Sequence, residues 1–229
     1  MSKKYIIGTR GSLLALTQCN QVKDLLESVS NATFELKVIK TQGDLITDKP
    51  LWQLEGKDFF TKELDHELKN QSIDLVVHSY KDLGSDRPEE FELAAITQRK
   101  HPHDVLFLRN DVLEKEKISQ LEIGTSSPRR ITNIENYLSD FLPFGKIDIK
   151  TKMLRGNVNT RLKKCVDSQY DGIVLAMAGI ERLLQCPDSA KEIDPLLSQL
   201  TPVILPLSYF PTAASQGALA IEINERASD

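Results

Sequence analysis

The sequence lacks the features that would place the chain in a membrane, outside the cell or on nucleic acid. None of its apolar runs approaches the roughly 18 residues of a membrane-spanning helix. Its first residues, MSKKYIIGTRGS, contain an apolar stretch too short for the core of a signal peptide, so we expect no export. With 29 Lys+Arg against 33 Asp+Glu, the formal net charge is −4, which argues against broad binding to nucleic acid.

Cysteine is scarce, and its distribution argues against a disulfide framework. The three cysteines Cys19, Cys165 and Cys186 are an odd number, lie far apart and form no CxxC pair. The same pattern argues against a zinc ribbon, and no other set of side chains predicts a metal site. We therefore expect a metal-free protein of the reducing cytoplasm, without a membrane or nucleic-acid partner.

The sequence does contain the alternation that is typical of an α/β protein. Its 229 residues suggest one large domain or two small ones, and short β-rich runs alternate with helical patterns. Apolar stripes such as Val22, Leu25, Leu26 and Val29 recur at helical spacing and are predicted to pack in the core. Strands are predicted at residues 5–9, 34–40, 73–77, 93–97, 105–108, 122–124, 147–151, 173–175, 203–205 and 218–223.

Two proline-bearing segments are predicted to cross between two lobes. They lie at residues 98–103 and around residues 194–202. Residues 1–98 would then form the first lobe together with residues 200–229, and residues 99–199 would form the second. A two-lobed protein of this kind has mixed sheets flanked by helices, and it binds its ligand in the interdomain cleft.

Cations and hydroxyl groups gather where predicted strands end, and such strand ends are where open α/β sheets bind ligands. In one of these junctions, Ser127 fits a helix N-cap and Pro128 the first helical position. Arg129 and Arg130 then fall at the end of the helix that is already positive, a mismatch that a bound anion would remove. The alternative is an ordinary capped helix whose arginines face solvent or pair with acids. The four junctions are residues 8–12 (GTRGS), 77–82 (VHSYKD), 124–130 (GTSSPRR) and 154–161 (LRGNVNTR).

The repetition of cations predicts a single site for an anionic small molecule. In an acidic chain, a cluster of them is a local focus of positive charge that suits several carboxylates or phosphates. Asp82 is a lone carboxylate among these cations and could stabilise a developing cation or move a proton; the alternative is a simple ion pair or cap. His78 fits a structural hydrogen-bonding role better than that of a base. The cations of the cluster are Arg10, Lys81, Arg129, Arg130, Arg155 and Arg161.

With these motifs, the sequence resembles the hydroxymethylbilane synthase family, also called porphobilinogen deaminases. The resemblance covers residue 8 to about residue 222 and implies a two-lobed fold like that of periplasmic binding proteins. It implies an enzyme of tetrapyrrole and haem biosynthesis, a transferase that joins four porphobilinogen molecules and releases ammonia each time. Its growing chain extends from a dipyrromethane cofactor held through a cysteine sulfur. The matching segments are GTRGSLLALTQ, TQGD, GKDFFTKEL, DLVVHSYKDL, GTSSPRR, LRGNVNTRL, YDGIVLAMAGIERL and SQGALAIE.

The resemblance also assigns roles to residues of this sequence. Asp82 is the expected catalytic residue, which handles the pyrrole nitrogens and stabilises positive charge. The carboxylates of substrate and cofactor, small polycarboxylate ligands, are expected to be bound at the matching family positions. Those positions are Arg10, Ser12, Lys57, Phe60, Ser79, Lys81, Thr125, Ser126, Ser127, Arg129, Arg130, Arg155, Gly156, Asn157, Arg161, Arg182 and Gln216.

One departure from the family leaves two hypotheses open. In the family, a third domain carrying the cofactor cysteine follows the segment that here reads SQGALAIE. This sequence ends at Asp229 and has no cysteine there, so we expect no third domain and no covalent attachment. The first hypothesis is a short synthase that uses a noncovalent primer, an unusual attachment site or a separate chain supplying the third domain. The second is a non-catalytic protein that binds porphobilinogen, an oligopyrrole or another polycarboxylate; a native chain that continues further would also account for the departure.

Overall fold

The computed structural model describes residues 3–45 and 61–225, and the chain divides into two compact units. Unit 1 comprises Met1–Lys100 and Ser215–Asp229, and unit 2 comprises His101–Ala214. The first crossing between the units therefore lies inside the predicted segment 98–103. The second lies after residue 214, whereas the proline-bearing segment predicted it near residue 200.

Unit 1 is built on a five-stranded mixed sheet with helices on both faces. Its strands are β1 (Lys4–Thr9), β2 (Thr33–Val38), β3 (Leu75–Ser79), β4 (Phe91–Ile96) and β10 (Leu219–Asn224), and its helices are α1 (Leu13–Val29), α2 (Gln42–Leu45) and α3 (Lys62–Lys69). The strand order is β2-β1-β3-β10-β4. β1 is parallel to β2 and β3, whereas β10 lies antiparallel between β3 and β4.

The two faces of this sheet form separate apolar clusters. On one face, Cys19 and Val22 of α1 are buried against β1, β2, β3 and β10. On the other face, Leu64 and Leu68 of α3 are buried against β3. The predicted α1 stripe is buried only in part, because Leu25 is 53% exposed and lines an apolar groove of about 440 Å³ beside β4.

Unit 2 repeats this architecture with a second five-stranded mixed sheet. Its strands are β5 (Asp104–Arg109), β6 (Gln120–Gly124), β7 (Asp148–Lys152), β8 (Gly172–Ala176) and β9 (Leu200–Ile204), and its helices are α4 (Asn110–Leu113), α5 (Pro128–Phe141), α6 (Val158–Val166), α7 (Met177–Gln185) and α8 (Pro187–Leu197). The order is β7-β6-β8-β5-β9, in which β6 is parallel to both β7 and β8. Leu106, Ile123, Ile134 and Leu138 lie in its buried core.

The position of β9 explains why the second crossing comes later than expected. β9 pairs antiparallel with β5, and Leu106 lies opposite Val203 in that pairing. Residues 200–214 therefore belong to unit 2 and not to the unit formed by the chain ends.

All ten predicted strands occur in the structure, each with bounds that differ from the prediction by a few residues. The predicted class, two mixed sheets flanked by helices, is thus confirmed. Within residues 3–45 and 61–225, no helix has the length and apolar character needed to cross a membrane.

Candidate active site

In unit 1, the predicted site residues gather at one edge of the sheet. Arg10 directly follows β1, and Ser79 is the last residue of β3. Neighbouring parallel strands end at the same edge, so the segments after β1 and β3 lie side by side. β10 begins at this edge as well, because Leu219 pairs with Ser79. The other predicted residues in the described part of unit 1 adjoin these strand ends; they are Ser12, Lys81, Asp82 and Gln216.

A short 3-10 turn, Tyr80–Asp82, presents the predicted catalytic carboxylate. The turn is fixed to the sheet because the backbone N–H of Tyr80 donates to the carbonyl of Ala218 at 3.1 Å. Lys81 Nζ lies 3.4 Å from Oε1 of Gln216, a side chain that is almost completely buried. Asp82 is exposed, so its carboxylate is accessible to a ligand.

The two predicted serines of unit 1 have structural contacts of their own. Ser12 is the N-cap of α1, and its Oγ accepts a hydrogen bond from the backbone N–H of Ala15 at 3.3 Å. Ser79 Oγ contacts the side-chain amide of Gln18, at 2.9 Å from Nε2 and 3.2 Å from Oε1. Gln18 was not among the residues predicted from the sequence. The only signal in the sequence was its position four residues before Val22, on the apolar face of the predicted helix; in the structure it is 5% exposed.

In unit 2, the two loops rich in cations are joined by one hydroxyl group. They follow the neighbouring parallel strands β6 and β7 and therefore lie at the same edge of the sheet. Ser126 Oγ donates to the carbonyl of Leu154 at 2.9 Å and accepts from its backbone N–H at 3.0 Å. The backbone N–H of Thr125 donates to the carbonyl of Lys152 at 2.9 Å.

The predicted helix start at residues 127 and 128 is confirmed. Ser127 caps α5, and its Oγ accepts a hydrogen bond from the backbone N–H of Arg130 at 3.5 Å. Pro128 is the first helical residue. The buried Thr125 supports the cap, because its Oγ1 accepts from the backbone N–H of Ser127 at 3.2 Å.

Both arginines of this helix pair with one buried carboxylate. Asp104 is 1% exposed and lies opposite Ala176 at the same sheet edge. Its Oδ1 accepts from Arg130 Nη2 at 2.7 Å and its Oδ2 from Arg129 Nη1 at 2.9 Å. Arg130 is buried and also donates to the carbonyl of Val174. Ion pairing was the alternative in the sequence analysis, and Asp104 was not identified there.

The side chains of the two arginines differ in how far they are exposed to solvent. The side chain of Arg129 is 27% exposed, whereas that of Arg130 is 9% exposed. Arg129 Nη1 donates to the carbonyl of Pro211 as well as to Asp104. Arg129 therefore keeps exposed side-chain surface, whereas Arg130 is largely buried beside the carboxylate that both arginines share.

The loop after β7 has a backbone that requires glycine. Gly156 has φ +117°, and a Cβ there would lie 2.8 Å from Thr160 Cγ2. Asn157 caps α6 by accepting from the backbone N–H of Thr160 at 3.0 Å. Arg161 Nε donates to the carbonyl of Gly156 at 2.7 Å, and Arg155 is 9% exposed. The loop thus places both predicted arginines close to a tight turn.

One further predicted residue, Arg182, is described by the structure. Arg182 is on α7, which begins where β8 ends, and its side chain is buried. Burial lowers the pKa of its guanidinium, and the charge of Glu181 opposes that shift in part. Lys57 and Phe60 lie outside the described residues.

No described cysteine offers a reactive thiol at either sheet edge. Burial raises the pKa of Cys19 to about 11 and that of Cys165 to about 12, although Thr9 and Arg109 act in the opposite direction. Hydrogen bonds from Ser189 lower the pKa of Cys186, which is half-buried. Cys186, however, follows the nine residues of α7, about 13 Å along that helix from the edge of the sheet.

The described part of the chain contains no group of three or more His, Cys, Asp or Glu side chains arranged to hold a metal ion. Apart from Asp82 and Asp104, the predicted and partner side chains at the two sheet edges are cations, hydroxyls and amides. Such a donor set suits carboxylate or phosphate groups of an organic ligand.

The sequence is similar to one family of enzymes over almost its whole length. A family model described as porphobilinogen deaminase, dipyromethane cofactor binding domain, matches residues 5–229. The chain is 38% identical to the porphobilinogen deaminase of Helicobacter hepaticus, covering 97% of this chain and 64% of that protein. It is 39% identical to the porphobilinogen deaminase of Fusobacterium nucleatum, covering 98% and 70%. The chain thus spans about two thirds of the length of these curated relatives.

The fold is similar to that of a solved extracellular binding protein. A probable amino-acid ABC transporter extracellular-binding protein from Bacillus subtilis superposes with a TM-score of 0.52 at 11% sequence identity. The match covers 100% of this chain and 87% of that chain. At this identity the likeness concerns the fold alone, and it agrees with the predicted architecture.

Proposed function

The chain belongs to the porphobilinogen deaminase family, and we propose that it binds porphobilinogen and its oligomers and takes part in their condensation. The complete reaction joins four porphobilinogen molecules with loss of ammonia at each step. The observation that carries the proposal is the exposed carboxylate of Asp82 at a sheet edge shared with Arg10 and Lys81. The second set of cations, at the edge of the unit 2 sheet, supports it.

The proposed ligands match the charge and geometry of these residues. Each porphobilinogen carries two carboxylates, and guanidinium groups bind carboxylates through parallel hydrogen bonds. In unit 2, Arg129, Arg155 and Arg161 are the proposed carboxylate partners, and in unit 1 Arg10 and Lys81 are. Arg130 is assigned a supporting role, because Asp104 and Val174 already engage its guanidinium.

Asp82 is proposed as the catalytic residue. An accessible carboxylate at this position accepts hydrogen bonds from pyrrole N–H groups and stabilises the positive charge that develops as ammonia leaves. The turn that carries it is held by the backbone contact between Tyr80 and Ala218, so the carboxylate is presented from a fixed backbone. Preorganised charge of this kind is usually the largest contribution to catalysis.

The carboxylate groups of the family's dipyrromethane cofactor fit the cationic loops, but covalent attachment does not fit the described cysteines. When bound, that cofactor supplies the pyrrole end on which the product chain grows. Cys19 and Cys165 are buried, and Cys186 lies at the far end of α7. We therefore propose that the attachment point belongs to the part of the relatives that this chain does not span, supplied by a longer polypeptide or a separate chain.

The proposed setting is the cytoplasm. The three cysteines are free thiols, two of them buried. Free thiols persist in reducing compartments, which is where we place the protein.

The test combines intact-mass measurement, calorimetry and porphobilinogen consumption. We expect the purified chain to bind porphobilinogen, and we expect Asp82→Asn to retain that binding while condensation is lost. Asp86→Asn, an exposed carboxylate in the same loop, serves as the matched control and should change neither. If Asp82→Asn lost binding and condensation to the same extent, the result would contradict a catalytic role for Asp82.

A non-catalytic binding protein is the second candidate function, and the buried thiols favour it. It predicts an unmodified mass and no consumption of porphobilinogen, together with saturable binding of porphobilinogen or an oligopyrrole. Addition of a polypeptide carrying the remaining third of a relative separates the two functions. Consumption that appears only after this addition supports a synthase completed by a second chain.

A further inference from the structure

A buried ion network lies on the face of the unit 1 sheet that packs against α3. Arg87, in the loop between the 3-10 turn and β4, donates to both oxygens of Glu222 on β10, at 2.8 and 2.7 Å. The same guanidinium donates to both oxygens of Asp65 on α3, at 3.1 and 2.6 Å. One arginine therefore connects a loop, a strand and a helix of the same unit.

Glu222 also faces the residue that precedes the catalytic turn. Its side chain lies on the same face as His78, because Ala220 pairs with His78 and Glu222 pairs with Val76. His78 Nε2 lies 3.3 Å from Glu222 Oε2, and both side chains are buried. His78 and Arg87 thus flank one segment, residues 79–86, and both side chains contact the carboxylate of Glu222.

Stability alone does not account for a carboxylate at this position. Glu222 is 1% exposed in a strand whose other residues are mostly apolar. Removing a charge from water is costly, and well-packed apolar residues often stabilise a fold at least as well as a buried ion pair. Burial raises the pKa of Glu222, but the nearby His78 and the hydrogen bonds and charge of Arg87 outweigh it and hold the pKa below its usual value. The carboxylate is therefore held in its ionised form, hydrogen-bonded to Arg87 and in contact with His78.

We propose that Glu222 is a positioning residue that fixes, through His78 and Arg87, both ends of the segment presenting Lys81 and Asp82. The role of that segment rests on the proposed function, whereas its fixation by Glu222 is a separate physical claim. Two backbone N–H groups of the segment donate hydrogen bonds whose protection measures this fixation. These hydrogen bonds run from Tyr80 N–H to the Ala218 carbonyl and from Leu83 N–H to the Tyr80 carbonyl.

The test is amide hydrogen exchange on the full chain, comparing wild type with Glu222→Gln and Arg87→Gln. We expect exchange at Tyr80 and Leu83 to accelerate about tenfold or more in both variants, and to accelerate more than exchange of the β1 and β2 amides, which follows the change in global stability. Arg87→Lys should restore only part of the protection, because an ammonium group lacks the fork that engages two carboxylates. The control is Lys69→Gln, which breaks the exposed ion pair of Lys69 with Glu90 between α3 and the same loop.

Porphobilinogen binding and condensation give the functional readouts. With fixation of the segment lost, we expect the condensation rate to fall about tenfold while affinity for porphobilinogen changes much less. The proposal is overturned if exchange at Tyr80 and Leu83 is unchanged, or if it accelerates equally throughout unit 1. It is also overturned if exchange accelerates but an active enzyme keeps its condensation rate. An inactive wild type would count against the proposed function only, since the exchange result stands without turnover.

Discussion

Ser126 and Leu154 exchange two hydrogen bonds across the ends of β6 and β7, so one hydroxyl ties together the two cationic loops of unit 2. Ser126→Ala should leave the N–H and carbonyl of the buried Leu154 without this partner. We expect a loss of about 1–3 kcal/mol in the free energy of unfolding. We also expect weaker porphobilinogen binding, because Leu154 directly precedes Arg155. Urea denaturation and calorimetry check the two effects.

A matched control separates loop geometry from general stability. Ser139 Oγ also accepts a backbone hydrogen bond in unit 2, from Ile147 N–H at 3.0 Å, but it does so on α5 rather than in the cationic loops. Ser139→Ala should therefore lower stability and leave the affinity unchanged. Equal affinities for the two variants would show that the Ser126 contact does not shape the binding loop.

Arg129 and Arg130 should separate into a ligand-binding and a structural residue. Arg130→Ala removes a cation from a buried pair with Asp104, a change that typically costs about 3–5 kcal/mol of stability. Arg129→Ala should cost less stability but lower porphobilinogen affinity about tenfold or more, through loss of a charge-assisted bond. Urea denaturation gives the first quantity and titration calorimetry the second. The reverse ranking in both measurements would refute the assignment.

The cysteines should differ in reactivity in the native protein. Cys186 is half-buried and has a lowered thiol pKa, whereas burial raises the pKa of Cys19 and Cys165 to about 11 and about 12. Because the thiolate is the nucleophile, we expect iodoacetamide at pH 8 to modify Cys186 first. The other two should react only after denaturation. Peptide mass spectrometry gives the order, and early modification of Cys19 or Cys165 would contradict the burial argument.

Local signals in the sequence predicted much of the fold. The ten strands follow from short β-rich runs, and the start of α5 follows from Ser127 and Pro128. The pairing of β9 did not follow, because its short apolar pattern fits either sheet equally well. Strand order depends on contacts between distant parts of the chain, as with Leu106 and Val203. The exposure of Leu25 was missed for the same reason, since periodicity does not show which part of a sheet a helix covers.

For the candidate site, the sequence predicted the residue types better than their partners. The cationic loops fall at strand ends as expected, and two of them are joined by Ser126. The partners Asp104 and Gln18 were missed, because each acts on a residue far along the chain. Asp104 pairs with Arg130, 26 residues away, and Gln18 contacts Ser79, 61 residues away. No local pattern marks a buried polar residue whose partner comes from another element.

The stability contributed by Glu222 should depend on pH with a defined sign. Its folded-state pKa lies below the ordinary value of 4.5, because His78 and Arg87 outweigh the effect of burial. A depressed carboxyl pKa adds stability that is present above the unfolded-state value and is lost as pH falls through the folded-state value. Glu222→Gln should therefore be less stable than wild type at pH 7, and the difference should shrink as the pH falls below about 4.5.

Urea unfolding of wild type and Glu222→Gln between pH 7 and pH 3 measures this difference directly. The other carboxylates titrate in both proteins, so their contributions cancel in the difference. Glu35→Gln is the matched control. It removes an exposed partner of Lys4, with side chains 62% and 59% exposed, and such pairs contribute little stability. Its difference from wild type should stay small at every pH. A Glu222→Gln difference that grows on acidification would mean that Glu222 is stabilised in its protonated form, which would contradict both the depressed pKa and the ion network around Arg87.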